Sequence, residues 1–369
     1  MAQRRPLLVI AAAAVTGLAA AAIVVPQLAS GDASSSDPVT AQQSGVRAPS
    51  VDAGAKSTTI GSAANTRMIL LAAAKVAAEE PITSGKFWYS RVRTGQMVRV
   101  APEEYKAKIM PLIDELEAKE AELKGKPAEL KAAKKELDEK IRAVKEARLP
   151  YTATRGDTTE SWRSLKDATG RSMTNQDVKI EFATPEDEAK WKQAGSPRLS
   201  ENDRPQTKEG APETIVSIGN DSLTWSNVSK LPTDKEGLKA KLNDLYEKRS
   251  DKSGSRALYM WGTGADLLAA PITPGTRAAL YQVLADSTSG LKSQTGVADG
   301  MGRTGVALET TGPNDHDEPD KITYRLLFDD KTAKLLELDV IEEGNSTPLL
   351  RQTYEAMGYV DDLGAKPGQ

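Results

Sequence analysis

KITYRLLFDDKTAKLLELDVIEE, residues 321–343, is the stretch on which the fold turns. Two runs of β-branched, aromatic and leucine side chains flank a polar Asp-Asp-Lys at 329–331, which is the chemistry of a strand, a turn and a returning strand. GRTGVALETT (302–311) precedes it and TPLLRQTYEAMGYVD (347–361) follows, both of the same character. Their connections are rich in Asp, Gly and Lys, as hairpins require, so the C-terminal part predicts an antiparallel β-meander.

Working back from the meander, helical and extended segments alternate. TPGTRAALYQVLADSTSG (273–290), capped by Thr273 or Thr276, and ALYMWGTGADLLAAP (257–271) read as a helix pair. LPTDKEGLKAKLNDLYEKR (231–249) is an amphipathic helix started by Pro232 and Thr233-Asp234, with Leu238, Leu242, Leu245 and Tyr246 on its apolar side. TIVSIG (214–219) and LTWSNV (223–228) are strand-like, and the charged, proline-broken 185–212 reads as a loop. VKIEFAT (178–184) and the alternating YTATRGDTTESWRSLKD (151–167) predict strands. KFWYSRVRTGQMVRV (86–100) predicts a strand pair turning near Thr94-Gly95. RMILLAAAKVAAEE (67–80) predicts a helix that starts at an Asn65-Thr66 cap and is stopped by Pro81.

Residues 102–148 differ in kind, being dominated by Ala, Glu, Lys and Leu. Ile109, Leu112, Ile113, Leu116 and Leu123 fall at helical spacing, and Leu130, Leu137 and Val144 recur at sevens with Ile141 between them. Gly125-Lys126-Pro127 ends one helix and starts the next, because glycine tolerates a left-handed cap and proline a first turn. The segment predicts an antiparallel helical hairpin inserted in the domain, with Pro111 distorting its first turn. It is either a partner-binding arm or a solvated spacer.

The N-terminus sets location. After a stub of residues 1–5, two arginines lead into an uncharged apolar run, 6–25, close to the ~20 residues that span a bilayer core. It is a retained anchor or a cleaved export signal, and both place the body outside the cytoplasm. Residues 26–64, rich in Ser, Ala, Gly, Asp and Pro, read as a disordered tether before a folded domain at 65–361, and 362–369 as a disordered tail.

Composition removes several function classes. With no cysteine, disulfides, thiolate metal sites, a cysteine nucleophile and a lipidated N-terminus are excluded. A net charge of -3 speaks against a nucleic-acid partner. His316, the only histidine, lies in GPNDHDEPD among Asp315, Asp317, Glu318 and Asp320. That cluster reads as a metal-binding turn or, better, as solvated turn chemistry, and a Ser-His-Asp hydrolase would need the same residue without any G-x-S-x-G elbow. GTGAD (262–266) and GMGRTG (300–305) lack the lysine or strand-turn-helix setting of a nucleotide loop and read as turns. No catalytic residue, metal or cofactor is expected.

The aromatic residues are more informative. Phe87, Trp88, Tyr89, Trp162, Trp225, Tyr324 and Phe328 all lie on predicted strands. They line one side of a curved sheet as a cradle for a lipid-like or peptide ligand, or they form the ordinary core between sheet and helices.

At LPTDKEGLKAKL, ALYMWGTGADLLAAPITPGTRAALYQVLA, GRTGVALE and YRLLFDDKTAKLLELDVI, in that order, the chain resembles a family of actinobacterial membrane-anchored envelope proteins associated with extracytoplasmic-function sigma factors. The resemblance covers roughly 65–361 apart from 102–148. It implies that the exported domain is similar to the LolA/RseB lipoprotein-carrier fold, an incomplete barrel closed by helices, with a role in envelope sensing or regulation and no enzymatic residues. Members commonly carry a cytoplasmic segment before the membrane helix, and residues 1–5 are too few to dock a sigma factor. The expectation is therefore an α+β protein: a curved antiparallel half-barrel with helices on its concave face, an inserted helical hairpin and one N-terminal transmembrane helix. Its expected role is ligand-dependent sensing at the cell membrane, with an envelope protein as partner. The alternative is a structural protein that docks its partner through 102–148.

Overall fold

The computed structural model describes residues 60–210, 223–248, 256–288, 290–313 and 321–368. The apolar run 6–25, the tether up to residue 59, the strand expected at 214–219 and His316 with its acidic neighbours lie outside the described residues. Among those described, no helix is long and apolar enough to cross a membrane.

The chain opens with β1 (Ile60–Gly61), α1 (Ala63–Glu79) and β2 (Phe87–Met97), followed by the helices α2 (Pro102–Glu122) and α3 (Pro127–Glu146). Next come β3 (Ala153–Ser164), β4 (Gly170–Thr174), β5 (Lys179–Phe182), α4 (Pro185–Gln193) and β6 (Gln206–Glu209). A 3-10 turn (Val228–Lys230) leads to α5 (Lys235–Lys248), α6 (Arg256–Ala269) and α7 (Pro274–Ala285). The strands β7 (Lys292–Ala298), β8 (Thr304–Pro313), β9 (Lys321–Phe328), β10 (Leu335–Glu342) and β11 (Leu350–Val360) complete the fold.

All described strands join one curved, unclosed antiparallel sheet in the order β1-β7-β8-β9-β10-β11-β2-β3-β4-β6, with β5 paired to β3. The meander is present as expected. At its central turn Asp329 accepts the amides of Lys331 and Thr332 at 2.8 and 2.9 Å, and Ala333 takes a left-handed φ of 53°. Packing tolerates this conformation because the Ala333 carbonyl receives the hydroxyl of buried Tyr281 at 2.9 Å. β11 then pairs along its whole length with β2, which ties the meander to the N-terminal half.

Period-two alternation divides the sheet into two chemically different faces. Leu308, Ile322, Leu326, Phe328, Leu338, Val340 and Tyr354 point to the helix side, where α1, α5, α6 and α7 supply Leu70, Leu238, Leu242, Leu267, Leu280 and Tyr281. The outer face carries charge instead. Asp339 holds Arg325 and Arg351 at 3.0 and 2.9 Å, and Glu337 accepts from Thr353 at 2.6 Å and from the Gly300 amide at 2.7 Å. Burial, with the neighbouring Asp339 carboxylate, raises the Glu337 pKa.

The helical hairpin forms as the spacing predicts. Gly125 takes a φ of 88° at the tip, Pro127 opens α3, and Lys134–Glu120 (2.7 Å) and Lys140–Glu115 (3.4 Å) bridge the arms around Ile109, Leu123, Leu137 and Ile141. Pro111 sits inside α2 without ending it.

Several expectations need correction. Residues 87–97 form one strand rather than a pair turning at Thr94-Gly95, because β3 and β11 pair with both residues and override a turn cue. Residues 185–212 contain α4, capped by Thr184 with Pro185 and three acids in its first turn, and the edge strand β6. The first helix starts earlier, with Ser62 accepting the Asn65 amide at 3.4 Å, and Thr66 instead bonds Ser293 at 2.8 Å. LTWSNV is a turn running into 3-10 structure, while Gly262 and Gly264 lie within α6 and not in a turn. Residues 362–368 are not a loose tail: Trp162 donates to the Ala365 carbonyl at 2.6 Å and Lys366 reaches Glu160 at 3.0 Å.

Candidate functional site

The seven aromatic residues do not share one surface. Trp88 and Tyr89 are consecutive on β2, so a pleated strand must send them to opposite faces. Tyr89 and Trp162, directly paired across β2 and β3, meet at 5.2 Å with their rings tilted by 54° on the outer face beside Phe87 and Val360, under the C-terminal segment. Tyr324 and Phe328 are 3% and 1% exposed in the main core, and the Phe328 ring stands 5.2 Å from Tyr281. These residues are packing.

Trp88 and Trp225 remain, and the structure brings them together around a residue that the sequence reading did not select. β3 contributes nothing to the main core on the helix side, and β2 only Val92 with Met97 packed against it at the strand's end. The floor there is polar: Ser90 and Ser161 share a hydrogen bond of 2.8 Å, Ser172 pairs with Ser161, and Thr94 stands opposite Gln352. At its end Arg163 pairs across the strands with Trp88. The Trp88 indole donates to the Ala269 carbonyl at 3.0 Å and meets the Tyr359 ring edge-on at 5.0 Å, while the Tyr359 hydroxyl donates to the Pro271 carbonyl at 3.0 Å. These two bonds pin the end of α6 to the strands.

Arg163 is 8% exposed, and its guanidinium lies 5.3 Å from the centre of the Trp225 ring. It makes no hydrogen bond or ion pair with any described residue, and burial lowers its pKa to about 10. The Trp225 indole nitrogen is also buried without an acceptor, so beside this cation lies a second donor with no partner among the described residues. Further along the same face the Gln352 carbonyl oxygen is buried without a donor. Burial raises the pKa of Asp266 on α6 well above the usual carboxylate range.

Chemically, this floor offers a cation, an orphan indole N–H and hydroxyls beside Trp88, Val92 and Met357. That suits recognition of an amphipathic molecule. Ser90 and Ser161 bond each other rather than a base, and the described residues contain no group of His, Asp and Glu arranged to hold a metal ion. One signal for Arg163 was present in the sequence: in ESWRSL (160–165) it holds the same strand parity as Ser161, two residues earlier, and not that of Trp162. Comparison with protein-family models, with curated proteins and with solved structures returns no match.

Proposed function

We propose that this chain is a non-enzymatic binding protein that takes a lipid-like or peptide ligand on the helix-side floor of β2, β3 and β11. In this reading the N-terminal apolar run holds it at the membrane with its body outside the cytoplasm, and the bound state is relayed to an envelope partner. The observation that supports a ligand is Arg163, buried beside the Trp225 ring with no carboxylate partner among the described residues, next to a Trp225 indole nitrogen that is buried without an acceptor; the Gln352 side-chain oxygen on the same face also lacks a donor. A buried donor or acceptor without a partner costs about 1–3 kcal/mol, so native proteins leave few of them, and a site prepared for a ligand is one reason to keep several together. The unclosed sheet with helices against one face agrees with a LolA/RseB-like half-barrel. The test is native mass spectrometry on the full chain extracted from its own membrane. Co-purifying lipid or peptide mass supports the reading, and a bare chain mass with every extraction detergent defeats it.

The rival reading, a structural protein docking a partner through α2 and α3, is favoured by the hairpin's solvated surface, where Met110 is 46% exposed and ion pairs run along both arms. Crosslinking the full chain in its membrane with and without residues 102–148 separates the two. Loss of a crosslinked partner on deletion supports docking, and persistence makes the hairpin a spacer.

A further inference from the structure

We infer that Arg163 and the Trp225 indole N–H form an anion subsite, which takes the oxyanion head of a single-chain amphiphile whose hydrocarbon runs along the floor toward Val92 and Met357. The inference rests on the ligand-binding reading above and specifies the chemistry of the head group.

The argument is one of unmatched charge. A guanidinium taken out of water normally keeps a carboxylate or several carbonyls, because isolated buried charge is among the costliest features of a folded chain. The other interior arginines follow that rule. Arg325 and Arg351 share Asp339, Arg277 holds Glu80, and Arg303 holds Asp299 at 2.6 Å. Arg163 alone among the described buried arginines has only an aromatic face beside it. Trp88 is held by its bond to Ala269, Arg163 pairs with it in register, and the guanidinium lies by the Trp225 ring, so these contacts fix the position of the charge before anything arrives. The planar fork of an arginine matches two oxygens of a carboxylate or phosphate, and the neighbouring indole N–H supplies a further donor. The hydroxyls of Ser90 and Ser161 already satisfy each other, which leaves the head group to the arginine end. Val92 and Met357 on the same face, with Tyr354 opposite Val92, form the apolar continuation of this floor among the described β2 and β11 residues between Trp88 and Thr94.

The test titrates the full-length chain, released from detergent micelles in native mass spectrometry, with oleate, oleyl phosphate and oleyl alcohol. A charge-assisted hydrogen-bonded head group is worth roughly tenfold to a hundredfold in affinity. The expected result is that one or both anions bind at least about tenfold more tightly than the alcohol. Arg163→Gln should abolish the difference while Arg163→Lys keeps part of it, and circular dichroism should show both variants folded. Whether oleate or oleyl phosphate binds more tightly identifies the head as carboxylate or phosphate. Equal binding of all three probes, or an anion preference that survives Arg163→Gln, overturns the subsite and leaves lipid binding standing. Failure of all three to bind overturns the lipid reading and the subsite with it.

Discussion

Replacing Arg163 by methionine should make the protein more stable. The side chain keeps its length and apolar stem, and only the charge is removed. Burial lowers the arginine pKa from its usual value to about 10, and at 1.36 kcal/mol for each pKa unit this charge costs the folded state about 3 kcal/mol. The attraction to the Trp225 ring, 5.3 Å away and largely desolvated, returns about 1–2 kcal/mol. The balance is a gain of about 1–2 kcal/mol for Arg163→Met, or a few degrees in melting temperature. Neutral pH is the right condition. A cation with a depressed folded-state pKa leaves the unfolded chain holding more protons, so stability rises with pH only above about 10, and at pH 7 the full penalty is present. The assay is urea unfolding followed by far-UV circular dichroism, with wild type and variant compared at equal slope. A loss of 1 kcal/mol or more would refute the reasoning, because it would mean that the charge is already compensated within the fold. A stabilising substitution at a residue needed for binding is the pattern expected where stability has been given up for function.

The outer face makes the contrasting case. Asp339→Ala strands Arg325 and leaves Arg351 only Glu337 at 3.2 Å, and because both arginines keep some solvent the loss should be about 2–3 kcal/mol, toward the low end for a broken buried pair. A thermal midpoint within a degree of wild type would contradict this. Glu337 has a raised folded pKa, so it favours folding most below the ordinary glutamate range, and that contribution is lost as pH rises through the folded value. Glu337→Gln should therefore flatten the fall in stability as pH rises above about 4.5, and an unchanged slope would assign that fall to other groups. Replacing residues 102–148 by a short Gly-Ser turn should leave the sheet intact. Met97 already pairs with Thr154 and the Val98 amide bonds Ala153 at 2.8 Å, so the hairpin leaves and re-enters between adjacent strands. Collapse of the far-UV strand signal in that deletion would show that the insertion supports the sheet.

How much of this was legible in advance follows from where each element's stability comes from. The α2–α3 hairpin was readable because its determinants are local: heptad leucines, Gly125 with its positive φ and Pro127 at a first turn. The 321–343 hairpin was readable for the same reason, since Asp329 closes its turn within its own loop. β2 was misread at Thr94-Gly95 because the local turn preference of that dipeptide is smaller than the bonding it gains between β3 and β11, which are distant in the chain. The C-terminal segment looked loose for a similar reason. Nothing in LGAKPGQ announces that Trp162, some 200 residues earlier, lies beneath it.

The sequence alone determined the element types, the α+β character, the meander, the inserted hairpin and the absence of any thiol chemistry. Those properties depend on periodicity, turn residues and composition, which act within a few residues. Tertiary structure alone decided that the seven aromatics divide between two faces, that most of them are packing, and that an arginine unpaired among the described residues stands beside Trp88 and Trp225. Strand alternation makes neighbours into opposites, but only the pairing of β2 with β3 and β11 says which opposite faces the helices. Only the tertiary neighbours reveal that a buried charge has no partner among the described residues.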